Sequence, residues 1–203
     1  MTDADIVGLW AGVRPLLGEA GKKPSEISRR HELLTGPGGM ITVAGGKLTS
    51  YRSMAERVGD RCQEMLGLKP APAATDTEPL PGGDFSEPFE QIKTRVEALG
   101  IPPNEAERLA RLYGSEALAL FSENSGPAVE AEFAVKAEGA LTLEDYWVRR
   151  SARSNFDDNG GMNALEPAAE VMGDLLSWTE AEKNHQIEIC RKRRQQEMRI
   201  LQR

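Results

Sequence analysis

Residues 40–52, Met-Ile-Thr-Val-Ala-Gly-Gly-Lys-Leu-Thr-Ser-Tyr-Arg, hold the densest chemistry in this chain. A β-branched run ends in Gly45 and Gly46, then Lys47, then Thr49, a residue type that caps helices. That order spells strand, tight turn and helix start. Glycine lets the turn take positive φ and lets backbone approach a ligand closely. The first turn of a helix offers unpaired N–H groups and the positive end of a dipole, which suit an anionic or electron-rich partner. Lys47 adds a full positive charge at the mouth. A second cation, Arg14, precedes Pro15 in Gly-Val-Arg-Pro, and its guanidinium is a planar fork that matches a phosphate bidentately. Each also has a plainer reading: Arg14 as a surface arginine in a loop, Lys47 as a solvated lysine beside a turn.

Periodicity gives the elements that must position these groups. Residues 5–18 read as a short apolar strand running into Pro15, and 19–26 as a polar loop. Residues 27–34 read as a second strand carrying Ser28, Arg29, Arg30 and His31. On a strand Arg30 faces away from Arg29. His31 is of a type that titrates near neutrality, but it is read as a structural or surface residue rather than a general base. Thr35–Gly39 is a turn by composition and 40–44 a strand, so a hairpin is predicted. From Thr49 onward, Tyr51, Met54, Ala55, Val58, Cys62, Met65 and Leu66 recur at helical spacing, with Gly67 closing the helix. Residues 69–83, rich in Pro, Ala, Thr and Gly, read as a linker. Everything after Asp84 reads as helix: 86–99, 102–114, 115–122, 130–137, 142–150, 163–177 and a long last helix. Thr179 caps that last helix, with Glu182 at the capping-box position. The organisation predicted is a mixed part over 1–68, the linker, and an all-α irregular bundle over 84–203.

Composition narrows the function classes. The chain has 203 residues, a net charge of −7 and 39% apolar residues, which suits a folded protein and argues against a general nucleic-acid binder. Cys62 and Cys190 lie far apart without metal-ligand spacing and read as free thiols. Two histidines are too few for a histidine-built metal site, so no metal is expected. No apolar run reaches the ~18 residues of a membrane span, and no signal peptide is visible. A chain whose first residues read as the middle of a sheet is expected to be part of a longer protein.

In order along the chain stand Gly-Val-Arg-Pro-Leu (12–16), Glu-Ile-Ser-Arg-Arg (26–30) and Ile-Thr-Val-Ala-Gly-Gly-Lys-Leu-Thr-Ser-Tyr-Arg (41–52). Met-Ala-Glu-Arg-Val (54–58), Pro-Leu-Pro-Gly-Gly (79–83) and Thr-Leu-Glu-Asp-Tyr-Trp-Val-Arg-Arg (142–150) follow, and then Met172 and Leu175-Leu-Ser-Trp178. This set resembles the C-terminal portion of the FAD-dependent, respiratory glycerol-3-phosphate dehydrogenases, over almost the whole chain. The Gly-x-Gly-x-x-Gly fingerprint of that family's dinucleotide-binding unit matches none of the glycine pairs here, at 38–39, 45–46, 82–83 and 160–161.

The resemblance implies that the intact protein oxidises sn-glycerol 3-phosphate to dihydroxyacetone phosphate, passing a hydride to FAD and electrons to a quinone. It implies substrate binding by Arg14, Arg29 and Lys47, with Lys47 and Arg29 as the catalytic cations. Gly45, Gly46, Lys47, Leu48 and Thr49 become the flavin contacts, although Thr49 also serves as a plain helix cap. An N-terminal FAD-binding domain of the same protein is the implied partner, and a homodimer is admitted. Arg149, Arg150 and Arg153 fall where the family's cap meets its catalytic body, or else form a solvated basic face. Residues 183–203, basic within an acidic protein, suit an anionic membrane surface. The location implied is cytoplasmic, peripheral on the inner membrane face. Alone, this chain is expected to be inactive and to retain no FAD. Two other readings stay open: a glycerol-3-phosphate oxidase using oxygen, and a helical module that binds membrane or a partner.

Overall fold

Glu32-Leu-Leu-Thr35 and Ile41-Thr-Val-Ala44 flank a Gly-Pro-Gly-Gly turn, and they pair. In the computed structural model, which describes residues 6, 8, 9, 11, 12, 31–69, 71–84 and 86–199, strand β1 (Glu32–Thr35) runs antiparallel to β2 (Ile41–Ala44). Glu32 lies opposite Ala44 and Thr35 opposite Ile41. Gly38 and Gly39 take φ of 71° and 81°, and the Gly36 N–H closes the turn on the Met40 carbonyl at 2.7 Å. The hairpin is the predicted one; its first strand is described from Glu32, and residues 27–30 of the predicted strand lie outside the described residues. Residues 13–30, with Arg14, Arg29 and Arg30, lie outside the described residues.

The chain divides into two compact units, Gly12–Pro79 and Met1–Ala11 with Leu80–Arg203. The first holds the hairpin, a 3-10 turn (Leu48–Ser50) and helix α1 (Tyr51–Met65). Gly67 ends α1 in the left-handed conformation, φ 69°, with its N–H on the Glu64 carbonyl and the Leu68 N–H on Gln63. The one hairpin and one helix among its described residues are too little to enclose a core by themselves. Among the described residues of this unit none is buried, and Leu34, Met40, Val43, Leu48, Tyr51 and Leu66 are exposed.

The second unit is helical: α2 (Phe89–Glu97), α3 (Pro103–Tyr113), α4 (Ala117–Leu120), α5 (Pro127–Lys136), α6 (Arg153–Phe156), α7 (Leu165–Leu176) and α8 (Glu180–Met198). A π-helical segment, Asp145–Arg150, precedes α6. Pro88 holds an extended backbone, so α2 starts at Phe89 and not at Ser86. Pro127 sits at the first position of α5, where its missing N–H costs nothing, and starts that helix three residues before the expected Glu130. Thr142 and Asp145 cap the next segment reciprocally: the Asp145 N–H donates to Thr142 Oγ1 at 3.1 Å, while Asp145 Oδ2 accepts from the Thr142 N–H at 3.0 Å. The predicted capping box of α8 is present, with the Thr179 N–H on Glu182 Oε2 at 2.7 Å and the Glu182 N–H on Thr179 Oγ1.

Two apolar clusters form this unit. Ile92, Val96, Leu109, Tyr113 and Phe121 fill one, between α2, α3 and α4. Leu143, Trp147, Leu165, Met172 and Cys190 fill the other, between α5, the π segment, α7 and α8. Trp147 is fully buried, and its indole N–H reaches the Gly160 carbonyl at 2.7 Å. Residues 80–84 lie on the end of α3: the Ser115 N–H donates to the Gly82 carbonyl at 2.9 Å and the Ser115 hydroxyl to Asp84 at 2.6 Å.

Candidate functional site

The Gly-Gly-Lys turn has the shape its residue types require. β2 ends at Ala44, and Gly45 and Gly46 reverse the chain with φ of 75° and 91°. A Cβ on Gly46 would stand 2.6 Å from Met54 Sδ and 3.3 Å from the His31 Cβ, so the turn is packed from beneath as well as twisted. Lys47 returns to extended backbone, φ −128° and ψ 150°, and the helical turn starts at Leu48. Lys47, Leu48 and Thr49 are exposed, Leu48 to 88%. The open side of this helix start therefore presents a lysine, an apolar side chain and the first N–H groups, which lack helical carbonyl partners.

Thr49 is not the cap. Ser50 does that work: its hydroxyl accepts from the Lys47 N–H at 3.4 Å and donates to the Lys47 carbonyl at 2.9 Å. The reason is positional, since the residue three beyond Lys47 faces back across the first turn. Thr49 is left pointing elsewhere, exposed. His31 lies under the turn with its Nε2 against the Arg57 guanidinium, which suits a structural part. Of the predicted cluster, Gly45, Gly46, Lys47, Leu48 and Thr49 are brought together, while Arg14 and Arg29 lie outside the described residues.

The helical unit holds a group of charges that spacing did not reveal. Glu130 on α5 is fully buried. Its Oε2 accepts from Arg108 Nη2 at 2.8 Å and from Arg153 Nε at 2.9 Å, and its Oε1 accepts from the Tyr113 hydroxyl at 3.2 Å. Glu105 takes the same two guanidiniums, Arg108 at 2.8 Å and Arg153 at 2.6 Å. Burial works against the Glu105 carboxylate, but the hydrogen bonds and charge of Arg108 and Arg153 outweigh it and hold it at about 2. Burial and the nearby Glu130 push the Tyr113 phenol up. Arg153 is thus an internal residue, 6% exposed, and not part of a solvated basic face. Arg149 does face solvent, paired with Glu144 and Asp145. The available signal was Glu130 itself, a carboxylate on the inward stripe with Ala131 and Ala134.

On α8, Ile187 and Cys190 are turned into the core. Lys183 lies along Gly173, where a Cβ would meet its Cε, and reaches Glu170 at 2.6 Å. Arg191 pairs with Glu166 and Arg193 with Glu144 and Glu197. Among the described residues no helix is long and apolar enough to cross a membrane, and no cluster of three His, Cys, Asp or Glu could hold a metal.

Residues 73–183 match the family described as the C-terminal domain of alpha-glycerophosphate oxidase. The chain belongs to that family. It is 37% identical to the aerobic glycerol-3-phosphate dehydrogenase of Staphylococcus epidermidis, an alignment covering 89% of this chain and 36% of that protein. Against the aerobic glycerol-3-phosphate dehydrogenase of Bacillus subtilis it is 36% identical, covering 93% of this chain and 38% of the relative. The crystal structure of the glycerol-3-phosphate dehydrogenase of Bacillus halodurans, complexed with FAD, superposes with a TM-score of 0.68 at 27% identity. That match covers 82% of this chain and 37% of the other. The chain therefore spans little more than a third of the length of the relatives it matches, and the family domain covers residues 73–183 of it.

Proposed function

We propose that this chain is the C-terminal part of an FAD-dependent glycerol-3-phosphate dehydrogenase. The intact protein oxidises sn-glycerol 3-phosphate to dihydroxyacetone phosphate, and the electrons leave to a quinone. One observation carries this reading: two positive-φ glycines deliver Lys47 to the open start of a helix, in a chain 37% identical to an aerobic glycerol-3-phosphate dehydrogenase. The turn fits a flavin edge, because exposed helix-start N–H groups and a lysine suit an electron-rich ring that gains negative charge. When bound, the flavin supplies the hydride acceptor. Gly45, Gly46, Leu48 and Thr49 bring backbone to it, and Lys47 holds positive charge beside it. Arg14 and Arg29 bind the substrate phosphate as two planar forks.

The test is made in the protein that joins this chain to its FAD-binding part. Arg14→Met and Arg29→Met should raise KM, and Lys47→Met should lower kcat by about a hundredfold or more. Unchanged kinetics in all three variants would refute the assignment. The purified chain alone should be colourless and inactive; stoichiometric flavin would contradict that. We place the intact protein in the cytoplasm, at the inner membrane face where a quinone is reached. Because Ile187 and Cys190 are spent on the core, charge and not insertion of α8 would hold it there. Sedimentation with anionic vesicles, with and without added salt, reads this directly: salt-insensitive binding or none would refute it.

A second reading is favoured by the family description, which names an oxidase. In that case oxygen takes the electrons. Peroxide yield per substrate oxidised, against reduction of a soluble quinone, separates the two.

A further inference from the structure

The two apolar clusters of the helical unit are joined at α5. Ala131 and Ala134 belong to the cluster with α7 and α8, while Val129 and Phe133 lean on the cluster of α2–α4. Phe133 meets Tyr113 edge-on, with ring centroids 5.6 Å apart. Alongside this modest apolar contact, the junction is ionic. Arg108 and Glu105 come from α3, Glu130 from α5 and Arg153 from α6. Arg108 also reaches across to the Ser151 carbonyl at 3.4 Å, and Asp157 receives the outer nitrogen of Arg153 at 2.8 Å.

Two guanidiniums thus serve three carboxylates, and the central carboxylate has no access to solvent. The other groups facing Glu130 are Tyr113 and Tyr146, whose phenols burial pushes up, and Glu138, pushed up by burial and by the charge of Glu130 despite Arg150. Glu130 is thus held by the two arginines and the Tyr113 hydroxyl, while its own charge disfavours ionisation of Glu138. A cavity of about 620 Å³, lined by Asn104, Glu105, Arg108, Phe156 and Asp157 among others, opens onto the outer end of this junction.

From this placement we infer that Arg108, Glu130, Arg153 and Glu105 form an ionic latch, which fastens α2–α4 to the α5–α8 body so that loss of the latch frees α2–α4 as one unit. A buried ion network adds little over an apolar contact when intact, yet breaking it leaves a bare charge inside the protein. That asymmetry makes it a latch rather than a glue. The α2–α4 helices share one apolar cluster, so once unfastened they open together as one unit, while α7 and α8 keep their own cluster and their protection.

Hydrogen–deuterium exchange of the full chain near neutral pH tests this segment by segment. Glu130→Gln should speed exchange over 89–120 by about tenfold, the effect of losing a charge-assisted pair, and leave 165–198 within about twofold of the unaltered chain. A rise of equal size in both segments, or in neither, overturns the latch. Should Glu130→Gln fail to fold, Glu105→Gln decides by the same rule, since it unfastens the same two arginines from the half-exposed side. A smaller rise confined to 89–120 supports the latch, and a uniform rise or no change refutes it.

Discussion

Glu130 and Arg153 stand 23 residues apart in the chain and meet inside the helical unit, Arg153 Nε donating to Glu130 Oε2 at 2.9 Å. Neither side chain has significant access to water, at 0% and 8%. Arg153→Met leaves Glu130 with Arg108 as its one paired cation among the described residues, and a buried pair broken on one side costs about 3–5 kcal/mol. The urea midpoint of the helical unit should fall accordingly. Arg153→Lys should recover part of the loss, since it restores charge without the two-pronged geometry. A loss below about 1 kcal/mol for Arg153→Met, the range of an exposed pair, would show that the pair is not buried in solution.

Acid should loosen the same place. Glu105 is held at about 2 against an ordinary 4.5, because Arg108 and Arg153 outweigh its burial. A carboxylate lowered on folding stabilises the fold fully above its ordinary value, and that help is lost as pH falls from 4.5 towards 2. At roughly 1.4 kcal/mol per pH unit the ceiling is about 3.5 kcal/mol, and solvent screening of the half-exposed Glu105 brings the effect below that. Urea melts at pH 6, 4 and 3 should show stability falling across this window. In Glu105→Gln the fall should be shallower, and a slope identical to that of the unaltered chain would refute the assignment.

Two glycines with positive φ should respond differently to alanine. At Gly114, φ 55°, a Cβ would stand 1.8 Å from the Gly82 carbonyl oxygen, an obstacle made of backbone. At Gly46, φ 91°, the obstacle is the Met54 thioether, the end of a flexible side chain. Gly114→Ala should cost more than about 3 kcal/mol of helical-unit stability, and Gly46→Ala about 1–3 kcal/mol confined to the turn. Calorimetry reads the first and amide chemical shifts over 44–50 the second. Equal and small effects at both positions would contradict the packing.

The two thiols, both free, should separate by reactivity. Burial and the Glu144 charge push Cys190 up to about 12 despite Arg193, and the side chain lies in the core. Cys62 is half-buried on α1. An alkylating reagent at pH 8 should modify Cys62 in the folded chain and reach Cys190 only after unfolding. Labelling at equal rates would place Cys190 at the surface.

Much of this was legible locally. The hairpin, α1 with Gly67 behind it, and the Thr179–Glu182 cap follow from residues within a few positions of each other. Turn chemistry and capping act over that same distance, so the string carries them. Proline shifted two helix starts for equally local reasons, at Pro88 and Pro127. The π segment was hidden in what reads as one continuous helix over 142–150, and α6 follows it at Arg153–Phe156, where no helix was expected. They form because Tyr146 and Trp147 must both be buried, and a bulge with Ala152 at φ 53° re-aims the chain to allow it.

The sequence by itself determined the order of elements, the Gly45-Gly46-Lys47 turn and the family, because each is written in neighbouring residues or in ordered motifs. Tertiary structure alone decided that Lys183, Ile187 and Cys190 face inward. It also decided that Arg153 is an interior residue bound to Glu130. A charge shows its partner only after distant helices have packed, since the force between two ions depends on their separation in space and the dielectric between them, neither of which is set by distance along the chain.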